Sequence, residues 1–341
     1  MPYEIKQNVI DPIRMGFDWV ERRLGRPANR YQEASIEIQA EENFHYRPLW
    51  DPAHDLFDEE RSRLRLSDWY AFTDPRQYYY FPYNVARSKA AEQLDTSLKY
   101  MTDAGVFDNL VEPWKAFFMD LLAPLRHYEY GAQLALAEIS RFSYGTTIEQ
   151  CAIYSAFNHL GNAQQLTKLV LQFPDSLTAL TRAKEHWMDA STMQPLRQYI
   201  EDALVLGDWG EQWVALQVCL ASYLYPLVFK QAEKIGQSTG LGMGGMALRY
   251  FYDWYRDDRR WSEELLSVLV RDEKYPNSVV LQEWVKQWQE RARTAITPIA
   301  AYLSELGSNV SAQDLIARYA LQLDVGFVLK HITFPLAMIT P

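Results

Sequence analysis

From Asn84 onward, apolar residues recur at steps of three and four, the period of helices that each bury one face. The pattern predicts helices over about 85–104, 108–142, 146–173, 176–191, 193–206, 209–235, 241–258, 260–271, 277–305 and 311–330, with ends placed to roughly 2–4 residues. The first 65 residues show no such period. Pro2, Pro12, Pro27, Pro48 and Pro52 interrupt them, and each removes a backbone donor that a long helix would need. Pieces such as 12–23 can be helical, but the segment reads as an arm laid over something larger. Next come Asp68-Trp-Tyr-Ala-Phe-Thr-Asp-Pro75 and Gln77-Tyr-Tyr-Tyr-Phe-Pro-Tyr83. So aromatic a stretch is an association hazard if exposed, and is expected to be covered by the domain or by a partner.

Several helix ends carry recognisable chemistry. Gly145 follows the first long helix, and Thr146 with Glu149 has the spacing of a capping box for the next. Gly105 and Gly207 are plausible stops of the same kind. Pro226, inside 209–235, is expected to kink that helix. A helix of 28 residues, 146–173, spans about 42 Å at 1.5 Å per residue. Two such helices joined by a short turn must lie antiparallel, which makes them the centre of a large all-α bundle. The expected organisation is an irregular, partner-contacting arm over 1–83 and a helical bundle with additional C-terminal helices over 84–341.

Within the central pair, three polar residues share the apolar faces. Glu129 is in phase with Leu121, Leu125, Ala132 and Leu136, and His159 and Asn162 with Ile148, Ser155, Leu166 and Phe173. Glu129 and His159 are 30 residues apart, one long helix and a turn. A diiron carboxylate bundle places a Glu on one helix and a Glu-x-x-His on the next, then repeats this on a second pair. Here the spacing is present and the content is not. His159 stands where that glutamate would be, and Asn162 where the histidine would be. On the second pair, Glu211 is in phase with Val214, Val218, Ala221, Tyr225 and Val228, yet from Ile235 through Tyr252 there is no Asp, Glu or His. Glu129, His159, Asn162 and Glu211 therefore read as degenerate ligand positions, with no catalytic, cofactor-binding or metal-holding residue in the chain. His159 is expected to be a core histidine hydrogen-bonded to a neighbouring helix.

The remaining candidates are weaker. One literal Glu-x-x-His, Glu42 and His45, falls in the proline-broken region without a second copy. His54 and His127 have no metal-type neighbours in sequence, and His186 reads as a surface or packing residue. The glycines of 240–245 lack the Lys and the preceding strand of a phosphate loop. Cys151 and Cys219 lie in apolar helical stretches and read as small buried hydrophobes.

Composition narrows the function classes. A formal charge of −10 argues against a nucleic-acid partner. Eleven Trp and 22 Tyr call for a large core or an interface rich in aromatic anchors. There is no basic-then-apolar leader at the start and no uninterrupted apolar run of membrane-spanning length, so the expectation is a soluble, cytoplasmic protein.

Four stretches together carry a family resemblance: Asp68-Trp…Phe72-x-Asp-Pro75 with the Tyr-rich run after it; Arg126-His-Tyr-Glu129-Tyr-Gly; Asn158-His-Leu-Gly-Asn-Ala-Gln-Gln165; and Trp254-Tyr-Arg-Asp-Asp-Arg-Arg-Trp261. Over roughly residues 10–330 the chain resembles the β subunit of the hydroxylase component of bacterial multicomponent diiron monooxygenases, most closely that of phenol hydroxylases. The resemblance implies a ferritin-like, ribonucleotide-reductase-like bundle whose α paralogue keeps the metal ligands. It implies an (αβγ)2 hydroxylase in which the diiron centre of α converts phenol to catechol with O2. A small effector protein and a reductase carrying FAD, a [2Fe–2S] cluster and electrons from NADH are implied as partners. No metal or catalytic residue transfers to this chain; only Glu129 keeps the identity of a ligand position. Three alternatives stay open here. One is the β subunit of a toluene, benzene, alkene or methane system. Another is a stand-alone diiron oxidase built on Glu42, His45, Glu129 and Glu211, and the third is an unrelated helical adaptor.

Overall fold

The structure, a computed structural model, describes residues 16–39, 47–49, 51–174, 176–307 and 310–326. Among them there is no strand. Two short helices, α1 (Asp18–Leu24) and α2 (Arg30–Glu33), lie in the arm. The bundle comes next in the chain. Helix α3 is Tyr80–Asp103. Helix α4 runs over 112–142, with a π-helical stretch at Phe117–Leu122. After it come α5 (Thr146–Val170), α6 (Ser176–Asp189) and α7 (Gln194–Leu204). Helix α8 runs over 209–239, with π-helical stretches at Val214–Leu220 and Pro226–Gln231. Helices α9 (Gly245–Arg271), α10 (Asn277–Glu305) and α11 (Ala312–Gly326) are the last among the described residues.

The antiparallel pair α4–α5 is the most extensive packing in the molecule, and α8 and α9 close a four-helix core against it. Helix α10 packs on α7 and α8, and α11 covers α10 and α8. The aromatic load goes largely into this core: Trp114, Trp213, Trp261, Trp284 and Trp288 are fully buried. Each such burial contributes about 1.5–3 kcal/mol. Helix α8 is long and apolar enough to cross a membrane, but 94% of its most apolar window is buried inside the bundle. It is the core helix.

Two local expectations are corrected. The stretches read as 241–258 and 260–271 form one helix, α9, because nothing in Asp257-Asp258-Arg259 breaks the ladder. Thr146 and Glu149 do not form a capping box. Gly145 occupies the N-cap with φ +87°, and the Thr146 hydroxyl donates instead to the Ser35 carbonyl at 2.6 Å. A side chain at 145 would be strained in φ and would bring its Cβ within 3.2 Å of Trp69 Cβ. Pro226, which has no N–H to donate, opens a π-helical stretch in which the helix continues past it.

The segment 51–79 of the arm lies on this chain's own bundle. Leu64, Leu66, Trp69 and Phe72 are buried in the main core. Helix ends capture its backbone. Asn277 exchanges two hydrogen bonds with Arg65, Asp272 accepts from the Ser67 amide, and Asp208 accepts from the Arg63 amide. These side chains sit where helices begin or end, so they satisfy strap and helix terminus together.

Candidate functional site

Helices α4, α5, α8 and α9 bring one polar layer to the centre of the bundle. The Tyr225 hydroxyl donates to Glu129 Oε1 at 2.6 Å, and His159 Nδ1 lies 2.6 Å from Glu129 Oε2. The same hydroxyl is 3.5 Å from His159 Nδ1. All three side chains are buried. The imidazole contact needs one proton, on Nδ1 or on Oε2, and either placement satisfies both groups. Burial and the neighbouring Glu129 hold the Tyr225 phenol well above its usual range, so it stays a donor. Both carboxyl oxygens are thus engaged by protein.

Rings fill the rest of the layer. Trp254 stands edge-on to His159, with centroids 5.2 Å apart, and lies 5.1 Å from Tyr225. Tyr255 stacks on Tyr225 at 5.2 Å and 3°. Helix α9 therefore supplies aromatic side chains where a diiron bundle would bring its second Glu-x-x-His. Asn162 sits one turn beyond His159, fully buried; it is close enough to influence the Tyr225 phenol, yet neither atom of its amide makes a hydrogen bond of proper geometry.

The residues do not fit a diiron centre. Such a centre takes about four carboxylates and two imidazoles, and the layer offers one of each, both already bonded. Among the described residues, no three His, Cys, Asp or Glu side chains converge. Glu211 lies elsewhere, in the first turn of α8, where it accepts from Trp288 Nε1 at 2.9 Å. It is 14 residues from Tyr225, about 21 Å along the helix. The phase that placed it inward assumed a regular α-helix. A π turn accommodates an extra residue, rotating the rest of the helix by roughly 100°. One such stretch, Val214–Leu220, lies between Glu211 and Tyr225, and Tyr225, read from the sequence only as part of an apolar row, is the residue that faces Glu129.

The other described histidines have ordinary neighbours. His54 meets Asp51 at 3.0 Å, His186 lies 3.8 Å from Asp120, and His127 stacks on Trp187. Glu42 and His45 fall outside the described residues.

Sequence reasoning missed a second buried cluster. Arg76 is enclosed between Asp74, which takes its Nε at 2.9 Å, and Asp258 on α9, which takes Nη1 at 3.0 Å. Ser155 and Asn158 on α5 donate to Asp258 at 2.8 and 3.1 Å, and the Tyr31 hydroxyl oxygen of the arm accepts from the Asp74 amide at 2.7 Å. The two carboxylates keep the Arg76 guanidinium charged despite its burial. The cluster joins three of the stretches that carry the family resemblance and fastens the arm to the bundle. A run of acids and arginines such as Asp257-Asp258-Arg259-Arg260 beside two tryptophans was its one visible signal.

Long helices around a central layer at the spacing of a carboxylate metal site define a ferritin-like bundle of the oxygenase kind, with that layer rebuilt. Comparison with known proteins gives the family. Residues 50–273 match the family described as methane/phenol/alkene hydroxylase. The chain is 36% identical over 302 residues to the phenol 2-monooxygenase oxygenase component DmpL of Pseudomonas sp. (strain CF600), covering 88% of this chain and 91% of that protein. It is 26% identical to the toluene-4-monooxygenase hydroxylase component subunit beta of Ectopseudomonas mendocina, over 75% of this chain and 78% of that one. The solved structure of xenon-pressurized phenol hydroxylase from Pseudomonas sp. OX1 superimposes with a TM-score of 0.82 at 34% identity, covering 94% of this chain and 98% of the other. The chain belongs to the methane/phenol/alkene hydroxylase family.

Proposed function

We propose that the chain is the non-catalytic β subunit of the oxygenase component of a phenol hydroxylase. The observation that carries this reading is the central layer. Glu129, the one carboxyl group there, has both oxygens bonded to Tyr225 and His159, and aromatic rings occupy the remaining ligand positions. Similarity to a phenol 2-monooxygenase oxygenase component along most of the chain supports the reaction class, and similarity to a subunit named beta supports the role.

On this reading the diiron centre belongs to a paralogous α subunit. That subunit, with γ, completes an (αβγ)2 hydroxylase in the cytoplasm. An effector protein and an NADH-dependent reductase carrying FAD and a [2Fe–2S] cluster act on the assembled hydroxylase. This chain's contribution is mechanical: a rigid, ring-filled bundle against which the metal-bearing subunit is held. The arm over 1–83 is proposed to add partner contacts through surfaces its own bundle leaves uncovered, such as Tyr80 and Phe81 just where it enters α3. Co-expression with the other oxygenase subunits, followed by separation and iron analysis of each chain, tests the reading. Iron is expected to travel with the partner; two iron atoms per isolated copy of this chain would overturn it.

A further inference from the structure

We propose that the cleft between α3 and α9 is a binding site for a small aromatic carboxylate, whose acid group is held by Arg87. The site and the β-subunit reading above stand on different residues, and neither depends on the other.

A cavity of about 390 Å3 lies between these two helices, towards the small end of ligand pockets, which run from about 300 to 1,000 Å3. Tyr78, Tyr250 and Trp254 give it aromatic walls, and Ala90, Leu94 and Met246 give it apolar ones. Trp254 is buried and also packs on the central layer, 5.2 Å from His159, so that wall is held from behind. A flat ring entering the cavity would meet rings and apolar side chains, in the stacked or edge-on contacts that aromatic groups favour.

The charges in the lining select the sign of the ligand. Arg249 is paired with Glu233 at 2.6 Å, and Asp253 lies 3.8 Å from Arg256. Asp257 accepts from the Tyr78 hydroxyl at 3.0 Å and lies 3.4 Å from Arg260. Arg87 is the remaining charged group, and among the described residues no carboxylate lies within salt-bridge reach of it. Its guanidinium lies over the rings of Tyr250 and Trp254, 5.8 and 6.0 Å from their centroids, and Nη2 donates to the Tyr250 hydroxyl at 3.0 Å. That hydroxyl accepts from Arg87, so its own hydrogen is left to donate. Burial holds the phenol above its usual range, which keeps the hydrogen in place. Trp254 Nε1 is a further donor, buried and without an acceptor. Donors around one uncompensated cation, set among aromatic walls, fit an anion whose body is a ring. A carboxylate matches the guanidinium fork; inorganic phosphate would forgo the ring contacts, and a neutral phenol would leave Arg87 without its counter-charge.

The test is calorimetric titration of the assembled oxygenase with sodium benzoate, the site being counted by difference between wild type and Arg87→Gln so that sites on other subunits cancel. One such site per copy of this chain is expected. Arg87→Gln is expected to weaken benzoate there by about tenfold or more, the scale of one charge-assisted hydrogen bond. Ala90→Phe, which fills the cavity from α3 and leaves Arg87 in place, is expected to weaken it at least as much. Lys99→Gln, the same change of charge at an exposed position of α3 outside the lining, is expected to bind as wild type. Acetate, inorganic phosphate and phenol are expected to bind the Arg87-dependent site at least about tenfold more weakly than benzoate. Crystals of the unaltered oxygenase soaked in 4-bromobenzoate are the second measurement, with the bromine expected between Trp254 and α3 whether or not the variants assemble. Benzoate binding that is equal in wild type and Arg87→Gln would overturn the site. So would acetate or phenol binding as tightly as benzoate, a cavity without bromine, or a partner side chain already filling it.

Discussion

The molecule has two buried polar clusters that solve different problems. At the bundle centre, Glu129, His159 and Tyr225 come from α4, α5 and α8, and they are complete with one proton shared across each contact. At the edge, Asp74, Arg76 and Asp258 form a full ion triad that spans 182 positions between Arg76 and Asp258 and draws further donors from α5. The central cluster fills a space that the surrounding helices would enclose in any case. The edge cluster is one of the fastenings, beside those made by Asn277, Asp272 and Asp208, that hold a proline-broken segment on the bundle. Neither is replaceable one residue at a time, since each single change strands a buried partner, but the first is replaceable as a whole by apolar packing.

That contrast can be broken experimentally, and the largest effect is expected at the edge. Arg76→Ala leaves two buried carboxylates facing each other without a cation, at a cost of about 3–5 kcal/mol. Denaturant unfolding should show it, and limited proteolysis should cut the arm between residues 51 and 79 first. At the centre, His159→Leu leaves one Glu129 oxygen without its partner and should cost about 1.5–3 kcal/mol. No loss of stability there would show that the contact is idle. The sharper comparison is Glu129→Leu/His159→Leu/Tyr225→Phe, which removes donors and acceptor together and should return close to wild-type stability. No equivalent rescue is expected from apolar replacement of Arg76 alone.

The smallest effect is in pH. Burial raises the phenol pKa of Tyr225, Tyr128 and Tyr199 in the folded chain. The unfolded chain releases those protons near pH 10, while the folded chain holds them. Their contribution is therefore full below about pH 10 and is lost as pH rises further. The urea midpoint should fall between pH 9 and pH 11, and Tyr225→Phe should flatten that fall. The edge triad, whose Arg76 stays charged throughout this range, should contribute nothing to the slope.

The same physics explains how much of the molecule was legible in its sequence. Helices with a regular three-four period could be read nearly to their ends, as could the inward faces of Glu129, His159 and Asn162, because burial writes itself into local spacing. The partner of Glu129 could not. The π stretch at Val214–Leu220 turns Tyr225 relative to Glu211, which lies about 21 Å away along the helix, and no residue pattern announces it. The Asp74–Arg76–Asp258 triad was hidden for another reason: its members look like solvated charges until the fold brings them together. The attachment of the segment 51–79 was hidden in the same way, since its anchors include Asn277, Asp272 and Asp258, more than 180 residues away in sequence.

The central claim is that the metal layer of this bundle has become packing. The most direct measurement is on the assembled oxygenase carrying Glu129→Leu/His159→Leu/Tyr225→Phe in this chain, with iron content and phenol hydroxylation read on the same sample. The account predicts wild-type iron and wild-type turnover. Loss of iron or of hydroxylation in a complex that is otherwise intact would contradict it.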